Sequence, residues 1–156
     1  MVVLDLPESL NVILKNGLIW HEIVHILIAT PFALYIYKKT HQFKSVLVVY
    51  FVTLILDIDH LADYFLFYGL NFNLADFLRL EYLGFGKKVD WALVPFHAWE
   101  WLVILILINI RKSWKSNWRG VLLGYIPHMI YDYVSVGGVT FYFITYRLIV
   151  LERLLP

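Results

Sequence analysis

Apolar residues run in four long blocks separated by charged loops, at residues 18–37, 45–66, 91–110 and 120–136. A helix rises about 1.5 Å per residue, so blocks of roughly 17–22 residues match a hydrocarbon core near 30 Å. The pattern therefore predicts an all-α fold: an integral membrane helical bundle with about four transmembrane helices, forming one domain over residues 1–156. Short interfacial helices are expected at both ends. One begins near Pro7–Ser9, and one lies in the tail 139–156, which is too short and too charged (Arg147, Glu152, Arg153) for a fifth span. Within the mixed-charge loop 71–90, the stretch from Asn73 to Leu78 reads as a small surface helix.

Composition sharpens this picture. Hydrophobic residues make up 61% of the chain and charged residues only 16%, against about 45–50% apolar in a soluble domain. No cysteine is present, which excludes disulfides, thiolate ligands and a Cys nucleophile. The net charge of +1 and the lack of a basic face argue against nucleic acid. Residues 1–17 lack the basic start and small-residue cleavage site of a signal peptide. Two loops carry bases and no acids, one with Lys38, Lys39 and Lys44, the other with Arg111, Lys112, Lys115 and Arg119. By the positive-inside rule both face the cytoplasm, which predicts a cell (inner) membrane protein with its N-terminus and the 71–90 loop outside.

Against this apolar background the polar residues stand out. His21, Glu22 and His25 lie in the first span, Asp57, Asp59, His60 and Asp63 in the second, His97 and Glu100 in the third, and His128 and Asp132 in the fourth. The spans hold no Lys or Arg among them. Counted from the cytoplasmic ends, the clusters fall roughly 12–20 Å deep, in one layer of the outer half of the membrane. Spacings of i, i+3 and i, i+4 (His21 and His25, Asp57 and His60, Asp59 and Asp63, His97 and Glu100, His128 and Asp132) turn each set toward one side. A lone intramembrane His or Asp often only bonds a neighbouring helix. Carboxylates gathered without a basic partner need protons or metal ions. Mixed imidazole and carboxylate suits zinc, manganese or iron, and the number of groups is enough for one ion with supporting carboxylates or for two ions. A transporter would line the whole span with polar groups, whereas the cytoplasmic halves here are aliphatic.

His21-Glu22-Ile23-Val24-His25 matches H-E-x-x-H, which sets two ligands on one helix face with a glutamate as base. Intramembrane zinc proteases carry such a motif, with an L-D-G motif supplying a third ligand. That motif is absent here, so Asp57 or Asp59 would have to substitute. Gly120, Gly124 and Gly137 read as sites of close helix packing and termination.

The order His25, Asp57-Ile58-Asp59-His60, His97 and Gly124-Tyr125-Ile126-Pro127-His128-Met129-Ile130-Tyr131-Asp132 resembles the YdjM-like family of membrane-bound, metal-dependent hydrolases. The resemblance covers about residues 20–135. The family's middle motif has an Arg, whereas this chain reads Phe96-His97-Ala98-Trp99-Glu100-Trp101. The resemblance implies hydrolysis by a metal-activated water. The polar clusters and the H-E-x-x-H motif, taken with the resemblance, leave His21, His25, Asp57, Asp59, His60, His97, His128 and Asp132 as candidate ligands to one or two divalent ions, zinc first. Glu22 or Glu100 is then the general base, His97 a ligand or proton donor, and Asp63 a residue that orients a ligand. A site open to the bilayer favours a membrane lipid or lipid-linked phosphoester as substrate.

Overall fold

A computed structural model describes residues 17–80, 82, 92–112, 117–136 and 139–154, and every regular element among them is helical. In order these are α1 (Leu18–Thr40), α2 (Phe43–Ile55), a 3-10 turn (Leu56–Asp59), α3 (His60–Tyr68), α4 (Leu74–Arg79), α5 (Trp99–Ile110), α6 (Asn117–Val136), a second 3-10 turn (Val139–Tyr142) and α7 (Ile144–Leu154). The interfacial helix expected near Pro7–Ser9 lies outside the described residues. The small helix expected after Asn73 is present as α4, where the Asn73 side chain caps the Ala75 N–H at 2.9 Å. The tail forms α7, as anticipated.

Among the described residues two stretches, Leu18–Thr40 and Phe43–Tyr68, are long and apolar enough to cross a membrane, fewer than the four expected. The third block departs most. Residues 92–98 are not helical, and α5 has only 12 residues. Its length is therefore about 18 Å, short of a 30 Å core. Pro95 accounts for the late start, because it withholds an N–H and pushes Val94 out of the helical region. The second block is also interrupted. Its helix tightens to a 3-10 turn at Leu56–Asp59, where the carboxylates begin.

Helices α1, α2 and α6 pack against one another, and α5 lies on α6. Small side chains allow the approach. Ala29, Ala33, Ile36 and Val49 form a buried cluster with Leu123 packed on it. Gly120 and Gly124 set α6 directly on α2, as their spacing suggested: a Cβ on Gly124 would stand 2.5 Å from the Val49 carbonyl oxygen. There the Thr53 hydroxyl donates to the carbonyls of both Val49 (2.9 Å) and Gly124 (3.2 Å), fastening the two helices one turn before the acidic motif. A second core cluster joins Leu56, Leu105, Tyr125, Met129 and Tyr142.

Candidate metal centre

Seven of the predicted residues come together. His21 and His25 descend from α1, Asp57 and His60 from the 3-10 turn and the first residue of α3, His97 from the irregular segment, and His128 and Asp132 from α6. The tight turn brings the carboxylates of Asp57 and Asp59 to bear on the same pair of rings. Asp57 Oδ1 lies 3.0 Å from His60 Nε2 and 3.1 Å from His97 Nε2. Asp59 stands on the far side of those rings, with Oδ2 3.0 Å from His97 Nδ1 and Oδ1 3.9 Å from His60 Nδ1.

Asp132 closes the other side. Its Oδ1 is 3.0 Å from His21 Nε2 and 3.1 Å from His25 Nε2, and its Oδ2 is 3.2 Å from both His97 Nε2 and His128 Nε2. His97 Nε2 and His128 Nε2 are 2.9 Å apart. The rings of His25 and His128 stack at 3.7 Å with an interplanar angle of 5°. Two protonated imidazoles at that separation would repel strongly. All of these groups except His21 are buried.

Several contacts are close without being hydrogen bonds. His25 Nε2 is 3.1 Å from Asp132 Oδ1 without a hydrogen bond of good geometry, and Asp132 Oδ2 and Asp57 Oδ2 are also buried and accept none, although imidazole nitrogens stand 3.2 and 3.8 Å away. Ligands bound about 2.0–2.1 Å from a tetrahedral zinc lie roughly 3.3 Å apart, close to the spacings found here. Three triads among the described residues place one ligand atom each within 4.8 Å of the others: His21, His25 and Asp57; His25, His128 and Asp132; and Asp57, His60 and His97. The donor set thus fits a divalent metal.

Other predicted residues take different places. Asp59 Oδ2 accepts from the His97 ring and from the Phe96 N–H (2.7 Å) and so orients that ring, while its Oδ1 is buried and accepts no hydrogen bond. Asp63, expected to orient a ligand directly, accepts from the Leu93 and Val94 N–H groups and so secures the backbone before His97. Glu22 lies within hydrogen-bond reach of Asp57 and has one buried, unpartnered oxygen, Oε2. Glu100 does not share a helical face with His97, because the helix begins only at Trp99. It turns away to the Thr145 N–H and hydroxyl at 3.3 and 3.4 Å.

Two residues missed in the sequence complete the site. The Arg147 guanidinium, on α7, is buried and donates to the carbonyls of Leu93 (2.6 Å), Val94 (2.6 Å) and His97 (3.0 Å). Burial pushes its pKa down, opposed by the carboxylate of Asp59. The Tyr125 hydroxyl lies 2.7 Å from the carbonyls of both Phe96 and Ala98 and accepts from the Ala98 N–H at 3.1 Å. The segment 93–98 is thereby satisfied group by group, as irregular backbone away from water must be. It even holds Val94 at φ 24°, a conformation a β-branched residue adopts only when its surroundings fix it. The sequence showed Arg147 only as one of the charges of the tail, with nothing to mark it as part of this clamp.

No protein-family model, no curated protein and no solved structure matches this chain.

Proposed function

We propose that the protein is a membrane-embedded, metal-dependent hydrolase acting on a lipid or lipid-linked phosphoester. The observation that carries this reading is His97. Asp59 holds its Nδ1, which leaves Nε2 to face a space it shares with Asp57, Asp132 and His128. A carboxylate behind a histidine whose other nitrogen is directed inward is the arrangement that presents a histidine to a metal.

A divalent ion at such a centre supplies an activated water at neutral pH. The chain's own contribution is Glu22, a carboxyl beside the ligands with a free buried oxygen, positioned to take a proton. The membrane reading rests on the inverted distribution of side chains. Leu27, Leu34, Phe51, Leu66, Phe67, Leu107 and Ile110 are exposed, while His25, Asp57, His128 and Asp132 are buried. Two stretches of sufficient length among the described residues support it further. The buried aliphatic cluster around Ala29, Ala33, Ile36 and Val49 fills the bundle toward the α1–α2 turn, which favours a one-sided pocket over a transport path.

A second reading, an intramembrane zinc protease, is favoured by one feature. His21 and His25 of the H-E-x-x-H motif both meet Asp132 Oδ1, which gives that pair a carboxylate partner. The site is expected to face the extracytoplasmic side. The test is Glu22→Gln, reconstituted with zinc and presented with phospholipid or lipid-phosphate substrates in mixed micelles. Wild type should hydrolyse them, and the variant should keep its metal and lose at least 100-fold in rate. Cleavage of a membrane-tethered peptide with no phosphoester hydrolysis would establish the protease reading. A wild type that binds no metal would refute both.

A further inference from the structure

We infer that the centre holds two divalent ions bridged by Asp57 and Asp132, an assignment that rests on the metal-dependent reading above. The two carboxylates are placed in opposite senses. Asp132 Oδ1 faces His21 and His25 at 3.0 and 3.1 Å, while its Oδ2 faces His97 and His128, each at 3.2 Å. Asp57 Oδ1 faces His60 and His97 at 3.0 and 3.1 Å, while its Oδ2 faces His25 at 3.8 Å. Each carboxylate thus presents one oxygen to the α1 histidines and the other to the opposite histidines. That is what a bridging carboxylate does between ions about 3.5–4 Å apart. Asp57 Oδ2 and Asp132 Oδ2 are buried and accept no hydrogen bond of good geometry, although imidazole nitrogens stand 3.8 and 3.2 Å from them, as expected of oxygens turned toward a second ion.

One ion therefore falls to His21 and His25, the other to His60, His97 and His128, with both carboxylates shared. A paired site clamps both the attacking and the leaving oxygen of an in-line displacement, which makes a phosphoester the matching substrate class.

The experiment uses full-length protein in detergent, stripped with chelator and reloaded with Mn2+ alone. Elemental analysis should return two manganese per chain, and the electron paramagnetic resonance spectrum should show an exchange-coupled pair. His21→Ala and His60→Ala, each at one edge of the cluster, should each lower the count from two to one and replace the coupled spectrum with that of an isolated ion. One manganese per wild-type chain would overturn the two-ion assignment and leave the metal-dependent reading standing. None would overturn both. Two manganese without exchange coupling would place the ions apart and also overturn the bridge.

Discussion

Gly124→Ala tests whether the approach of α6 to α2 sets the geometry of the centre. The added Cβ would stand 2.5 Å from the Val49 carbonyl oxygen, 3.1 Å from Val52 Cβ and 3.3 Å from Thr53 Oγ1, whereas ordinary contact begins at 3.4 Å. The first obstacle is backbone and cannot rotate away, so the helices must separate by about 0.9 Å at this level. A gap of roughly 0.5–1 Å forfeits a quarter to a half of each dispersion contact across the seam, and overpacking costs about 1–3 kcal/mol. Better helix propensity returns at most about 1 kcal/mol. The expected net loss is about 1–2 kcal/mol, read as a lower midpoint of thermal unfolding in detergent.

The same displacement should reach the site. Asp57 follows Thr53 by one turn, and His128 follows Gly124 by one turn, so the 3.6 Å between His128 Nε2 and Asp57 Oδ1 widens and metal affinity falls with stability. Gly120→Ala is the internal comparison. Its Cβ meets Val48 Cγ1 at 3.0 Å and the Ser45 carbonyl at 3.1 Å, a milder conflict that should cost less. A Gly124→Ala protein with wild-type stability and full metal content would refute the claim that this crossing positions the ligands.

Three further outcomes are expected. Asp59→Asn keeps the shape of the side chain but removes the charge behind His97, and should weaken metal affinity about 10–100-fold by isothermal titration. Arg147→Ala takes a donor from three carbonyls and leaves those of Leu93 and His97 unpaired at roughly 1 kcal/mol or more each, while that of Val94 keeps the His97 N–H at 3.0 Å. It should lower the unfolding midpoint and expose residues 92–98 to protease, with Arg147→Lys intermediate because one ammonium cannot reach all three acceptors. Metal content should fall as the pH drops, because protons compete for imidazole nitrogens that titrate near 6.5 in water. Equilibrium dialysis at graded pH should show the loss as pH decreases from about 7 to 5, and binding that strengthens with acid would contradict imidazole ligation.

The clustering of candidate ligands on regular helices was legible from spacing alone. His21 and His25, and His128 and Asp132, are one turn apart on α1 and α6, and they meet because both helices are continuous there. Asp57 and His60 were found for a partly different reason than supposed. Their meeting depends on a 3-10 turn, which hydrophobic pattern does not distinguish from an α-helix. The third block misled because Trp91–Phe96 is as apolar as a span, and only Pro95 marked it as something else. Glu100 was placed by a helical register that begins two residues after His97, so its pairing with His97 dissolved. Arg147 was out of reach for a different reason. Its partners are backbone carbonyls, which no side-chain pattern displays.

The fastening of the His97 segment also orders events in time. Asp59 and Asp63 emerge from the ribosome before the segment they grip, but the guanidinium that holds it from the other side belongs to α7, the last-made helix among the described residues. Until α7 has been made, the His97 segment is gripped from one side only, and a chain interrupted before Arg147 should leave that segment unclamped however well its earlier helices have assembled.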